Sequence, residues 1–188
     1  VMCPWCIIGF RQLEQALGAT NTGARIRWHP FELNPNMPIE GQDLAEHLAQ
    51  KYGLSEAQGV ENRNRILEMG ERAGFDFNFS GKRIMINSLD CHRLLTWAVT
   101  EGKQIELKLA MFKAHFTDGL YLNQQETLLD VVASVGLDTE RAKAILAGGE
   151  FFQQVRSEQH ALQQMGVTSV PTFIINEQYE LTGGQPSD

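Results

Sequence analysis

Cys3-Pro4-Trp5-Cys6, running into the apolar-periodic stretch from Ile7 to Leu17, is the segment whose reading decides the fold. Two thiols separated by two residues can close a small disulfide ring. On a helix N-terminus such a ring opens and closes as chemistry rather than staying shut as a staple. Pro4 suits the first helical position, where its missing N–H costs nothing. Leu13 and Leu17 fall at helical spacing behind Phe10, and Gly18 is expected to end the helix. The unpaired N–H groups and the positive end of the helix dipole then favour a thiolate at Cys3, expected to be the exposed thiol of the pair. A structural disulfide, half of a zinc site and two ordinary buried thiols stay open as alternatives for the motif taken alone.

The remaining composition narrows these. With 188 residues, 43% hydrophobic and 21% charged, the chain has the make-up of a soluble globular domain, or of one domain carrying an insertion. A formal net charge of −7 argues against a nucleic-acid backbone as partner. No apolar run approaches the roughly 20 residues that span a bilayer, so no membrane association is expected. Three cysteines are too few for a disulfide-stapled secreted domain. A structural zinc site wants a second Cys or His pair, and none stands at a suitable spacing, so no metal is expected. The chain begins two residues before Cys3 and closes on Gln185-Pro186-Ser187-Asp188, which reads as the start of a helix. Both ends are therefore expected to be trimmed; the expected location is the cytoplasm.

Along the chain, Ala24 to Leu33 reads as a half-buried strand, with Ile26 and Trp28 alternating with Arg25, Arg27 and His29. Asn34, Pro35 and Pro38 break it. From about Gly41 to Met165 nearly every segment carries helical period, without a convincing strand; the irregular piece from Phe75 to Ile86 reads as the one extended loop. Gly53 and Gly74 are expected helix ends, Ser55, Ser88 and Asp138 expected caps. Ile105, Leu109, Phe112 and Phe116 mark the inner face of one helix, and Glu150 to Met165 a last long one. From Gly166 the texture changes back: Thr172–Ile175 and Tyr179–Thr182 form a hairpin around Asn176-Glu177-Gln178. Strands at the two ends of a sequence with a helical block between imply an α/β domain interrupted by an all-helical insertion. The α/β part is drawn as residues 1–38 and 166–188, the insertion as 39–165.

A second element bears on the motif. In Val167-Thr168-Ser169-Val170-Pro171-Thr172-Phe173 a proline enters a strand. An edge-strand marker is one reading; a cis Val170–Pro171 bond, uncommon and normally kept for a purpose, is the sharper one. Together with Gly183-Gly184, these two elements resemble the thioredoxin superfamily. The helical block and Phe31-Glu32-Leu33-Asn34-Pro35 resemble its DsbA-type, FrnE-like branch, related to 2-hydroxychromene-2-carboxylate isomerases and kappa-class glutathione transferases. The resemblance covers essentially the whole chain. It implies a thioredoxin fold with a large helical insertion between the second strand and the C-terminal hairpin. It also implies a strand before Val1 and a helix after Asp188, a nucleophilic Cys3, a resolving Cys6, and a substrate-binding edge made by Pro4, Trp5, Val170 and Pro171.

The function that follows is thiol–disulfide exchange with protein or small-thiol partners. No resident cofactor is expected; glutathione is admitted as redox partner or co-substrate, and a homodimer is compatible. In strongly oxidising relatives a histidine stands where this chain has Trp5, so an intermediate potential is expected. The alternative is a glutathione-dependent isomerase or transferase, whose relatives resemble this chain but carry a serine or similar residue at the first cysteine position; a chaperone-like protein with a vestigial motif is a third. Cys91, in line with Leu94, Leu95 and Ala98, reads as a buried structural thiol. His29 and His92 read as packing or surface histidines, Arg25 and Arg27 as a solvated face, and Trp97, Phe112 and Phe116 as core.

Overall fold

The computed structural model describes residues 1–184; the helix expected from Gln185 to Asp188 lies outside them. The first helix, α1 (Pro4–Ala19), starts at Pro4 with Cys3 as its N-cap in extended geometry, φ −99° and ψ 114°. It runs through Gly18 and stops one residue later, because Thr20 turns its N–H and hydroxyl back onto the carbonyls of the last turn. The expected glycine stop is thus displaced: a glycine in helical geometry needs no left-handed cap.

Residues 24–33 form no strand, although their burial alternates as expected, with Ile26 and Trp28 half-buried between exposed Arg25, Arg27 and His29. The physical reason lies in their hydrogen bonds. The Trp28 N–H donates to Gln104 Oε1 at 2.9 Å, and the Trp28 C=O accepts from Gln104 Nε2 at 2.8 Å. A side-chain amide satisfies the backbone that a neighbouring strand would otherwise pair.

The helical block follows its local signals closely. Between β1 (Gln42–Asp43) and β2 (Ile84–Met85), a two-residue antiparallel pair that periodicity does not reveal, lie α2 (Leu44–Tyr52) and α3 (Glu56–Ala73). The Asp43 carboxylate accepts from the first turn of α2, and Ser55 with Gln58 makes a reciprocal capping box on α3. Gly53 and Gly74 close the two helices at φ 66° and 70°, where a side chain would be strained. Then come α4 (Leu89–Thr100), α5 (Gln104–Phe112), a π-turn over Lys113–Thr117, α6 (Gln125–Ser134), α7 (Thr139–Ala147) and α8 (Phe152–Gln164). Ser88 precedes α4 without a side-chain cap bond; Asn87 Oδ1 accepts the Leu89 N–H instead, at 2.9 Å.

Helix α4 is the axis of this block. Cys91 through Ala98 are all buried, and the helix packs against α5, α7 and α8. Buried Arg93 takes part in the packing by donating to the carbonyls of Ile145, Gly148 and Glu150 at the end of α7 and just beyond it. A cation there meets both the unpaired carbonyls and the negative dipole end.

The hairpin returns the chain to α1. β3 (Thr172–Ile175) and β4 (Tyr179–Thr182) pair antiparallel with Phe173 opposite Leu181. Asn176 and Glu177 both lie in the left-handed region, at φ 52° and 58°, as a type I′ turn requires. What presses β3 onto α1 is Gly9, whose missing Cβ would stand 3.1 Å from the Phe173 ring and 3.5 Å from Pro171. Gly9→Val is expected to destabilise the fold by about 2 kcal/mol, since branched atoms would have to push that ring aside. Chemical denaturation checks this; a variant as stable as the parent would show that this contact is not tight.

Candidate functional site

The site is built at the start of α1. No acidic side chain stands in its first turn and no side chain caps it; the Cys6 N–H donates to the Cys3 carbonyl at 3.2 Å. Cys3 is not the exposed thiol expected from sequence. It is buried, with 6% of its surface exposed, and Cys6 is the less buried residue of the two. The reason is the covering of α1 by the segment before β3 on one side and the helical block on the other. All three cysteines stand as free thiols.

The Cys3 thiol donates to the Val170 carbonyl at 3.7 Å, and the Val170–Pro171 peptide bond is cis. Two elements at opposite ends of the chain therefore meet at one sulfur. The Pro171 carbonyl is turned away into the hairpin, where it accepts the Gly183 N–H at 2.8 Å.

The two thiols are pushed apart in acidity. A hydrogen bond from the Cys6 side chain, helped by the backbone N–H groups of Cys6 and Trp5, holds the Cys3 thiol down to about 7 against an opposing cost of burial. The same hydrogen bond, together with burial, pushes Cys6 well above an ordinary thiol. One sulfur is half-ionised at neutral pH and its neighbour keeps its proton. A dithiol so divided can supply an attacking group and a reserve group.

Cys3 opens onto a cavity of about 500 Å³. Its walls are mainly apolar, from Trp5, Leu48, Ile66, Met85 and Phe116 among others, and Pro4 and Val170 border it as well. That volume lies within the range of small-molecule pockets. Arg65 sits over the Trp5 ring at 5.4 Å and orients it. Arg63 lines the cavity without a carboxylate partner among the described residues. Pro171, the last expected site residue, is buried behind Val170 and against α1, outside the cavity lining.

Other candidates fall where their surroundings dictate. Cys91 is wholly buried, its thiol pushed up to about 12 by burial, and donates only to the Leu122 carbonyl at 3.9 Å; it is inert packing. His92 is buried too, bonded to the Phe31 carbonyl at 3.1 Å and held neutral by burial. His29 meets Glu158 at 2.5 Å on the surface, beside Arg27. Among the described residues no group of three or more His, Cys, Asp or Glu side chains is placed to hold a metal, and no helix is long and apolar enough to cross a membrane.

Sequence reasoning missed the cavity, His115 in the π-turn and Lys108 on α5. His115 is buried, lines the cavity and has its acidity pushed to about 4 by burial, with Nδ1 unpartnered among the described residues. A π-turn shifts side chains off the 3.6-residue period, so no helical template could place it. The expected inner face of α5 is also rotated: Leu107, Lys108, Met111 and Phe112 are buried, while Ile105 and Leu109 are half-buried. Lys108, four residues before Phe112 and so on the same helix face, was the available signal.

Comparison with known proteins agrees with this architecture. The family described as DSBA-like thioredoxin domain matches residues 1–188. The protein YwbO of Bacillus subtilis (strain 168) is 25% identical over 178 residues, 94% of this chain and 83% of its own length. A solved structure of a probable DsbA oxidoreductase from Streptomyces coelicolor superposes with a TM-score of 0.92 at 29% identity, covering 98% of this chain and 81% of that one. A 2-hydroxychromene-2-carboxylate isomerase gives a TM-score of 0.71 at 14% identity, with 97% and 84% covered, a likeness of fold alone. The fold is the thioredoxin type with a helical insertion, as the resemblance implied.

Proposed function

Because the chain belongs to the DSBA-like thioredoxin domain family, we propose that it is a thiol–disulfide oxidoreductase with Cys3 as nucleophile and Cys6 as resolving thiol. The observation that carries this reading is the divided acidity of the pair, with Cys3 at a helix N-terminus and lowered to about 7 by the Cys6 hydrogen bond. The Cys3 thiolate attacks a substrate disulfide, a mixed disulfide forms, and Cys6 displaces the substrate thiolate. Pro4, Trp5 and Val170, which border the cavity, make the substrate-binding edge, and Pro171 supports it from behind through the cis Val170–Pro171 bond. Trp5 offers a large apolar face and an indole N–H rather than a charge, which supports an intermediate potential. Equilibration against mixtures of reduced and oxidised glutathione tests this. Mass spectrometry is expected to find a reversible Cys3–Cys6 disulfide; a chain that stays fully reduced across the series contradicts it.

The cavity favours a second reading, a glutathione-dependent isomerase or transferase acting on a small aromatic substrate. Such chemistry needs no resolving thiol. Turnover of an aromatic substrate that survives in Cys6→Ser would support it; loss with Cys6→Ser would exclude it.

A further inference from the structure

The cavity beside Cys3 carries a charge pattern that the dithiol cycle leaves unused. In a chain of net charge −7, no Asp or Glu lines it among the described residues, while Arg63 and Arg83 do. Arg83 is already engaged: its Nη1 donates to the His115 carbonyl at 3.1 Å and its Nη2 to the Asn78 carbonyl. Arg63, half-buried on α3, has neither a hydrogen-bond acceptor nor a carboxylate partner among the described residues. Its helix neighbour Glu68 pairs with Arg72 at 2.6 Å instead. A partly desolvated guanidinium with free donors is suited to a carboxylate, which it can take in a two-pronged hydrogen bond.

The rest of the lining sets the size and polarity of what enters. Leu44, Leu48 and Tyr52 follow one another at four-residue spacing on α2 and all border the cavity, so one stripe of that helix roofs it. The roof is tied to the wall by Lys51, whose Nζ donates to the Leu33 carbonyl at 2.8 Å and to Asn34 Oδ1 at 2.6 Å; Leu33 and Asn34 both line the cavity. With 6% of its surface exposed, Cys3 is reached from inside this space of about 500 Å³. That is room for a small molecule and too little for the loops that flank a disulfide in a folded protein.

We propose that the substrates are low-molecular-weight disulfides with an apolar body and a carboxylate, the carboxylate held by Arg63 while Cys3 attacks the sulfur. This rests on the dithiol reading above and names the substrate class for it. The Cys3 thiolate bonds to one sulfur of the disulfide and the other leaves as a thiolate. Cys6 then gives up its proton to solvent and closes the Cys3–Cys6 bond, displacing the first sulfur as a second thiolate. The substrate disulfide gains two electrons and the dithiol loses two. The carboxylate takes no part in these bonds, so Arg63 holds the disulfide equally before and during attack. Its effect therefore falls on the half-saturating concentration rather than on the limiting rate.

The test oxidises the reduced protein with dithiobis(benzoate), with its neutral dicarboxamide, and with insulin, following formation of the Cys3–Cys6 disulfide over a concentration series. Each rate is divided by that of the same disulfide with mercaptoethanol, which removes differences between leaving thiols. The wild type is expected to favour the carboxylate over the carboxamide by about tenfold or more, mostly through the half-saturating concentration. Arg63→Gln should bring that ratio to within about twofold of one, and Arg63→Lys should restore part of it. A merely structural role for Arg63 would slow both disulfides together and keep the ratio. The ratio is taken within one protein, so a folding defect cancels, and the wild-type value needs no variant at all. A wild-type ratio below about threefold, a ratio that Arg63→Gln leaves in place, or insulin reacting faster than the carboxylate on the same scale overturns the proposal. Absence of exchange with every one of the disulfides would instead remove the dithiol reading itself.

Discussion

Replacing Cys3 with serine is expected to reduce disulfide exchange to the uncatalysed rate, a loss of about a thousandfold or more. Several features converge on this one sulfur. It stands at the positive end of α1 with no acidic neighbour in the first turn. It receives the Cys6 hydrogen bond, and it borders the cavity. A serine hydroxyl in the same place stays protonated at any working pH and forms no mixed disulfide, so neither step of the cycle survives. Reduction of insulin or of glutathione disulfide measures the effect. Because burial is unchanged by exchanging sulfur for oxygen, the melting transition should move little, which separates lost chemistry from lost fold. Serine at this position retaining a tenth of the activity would move the nucleophile elsewhere.

Replacing Cys6 with alanine should act on both steps. Without a resolving thiol the Cys3 mixed disulfide accumulates, visible by mass, and steady turnover falls about a hundredfold. The attack step changes as well, since the Cys6 hydrogen bond is the largest influence lowering Cys3. Its removal sends Cys3 from about 7 toward the ordinary 9.0. At the upper limit the thiolate fraction at pH 7 drops roughly fiftyfold, while each thiolate becomes roughly eightfold more nucleophilic, so attack slows only about five- to tenfold. The pH dependence moves with it: attack by the wild type should rise with pH and level off above about 7, and the variant should go on rising for up to two further units. Iodoacetamide alkylation across pH reads both curves. Coincident curves would mean that Cys6 does not set the acidity of Cys3.

Much of this was legible before any coordinates. Pro4 behind Cys3 gave the start of α1, the caps at Ser55 and Asp138 and the glycines at 53 and 74 gave helix ends, and the β-branched run before Asn176 gave the hairpin. These are local signals, decided by a residue and its near neighbours. What stayed hidden depends on distant partners. Residues 24–33 have a strand's alternation, yet Gln104, far along the chain, answers the backbone of Trp28. Cys3 looks exposed at a helix end until Val170 is laid over it. The π-turn rephases Lys113–Thr117, and Lys108 is polar by type while its stem and ammonium are enclosed by Trp28 and Phe112. The dithiol itself could be read directly; its burial and its cavity could not.

The central claim is that Cys3 is a half-ionised nucleophile at neutral pH. Thiolate absorbance near 240 nm, followed in the reduced protein from acid to alkaline pH and again in Cys3→Ser, tests it directly. One thiolate titrating at about 7 in the wild type and missing from the variant is the predicted result. A wild type in which no thiol ionises below 9.0, the ordinary value, would contradict the account.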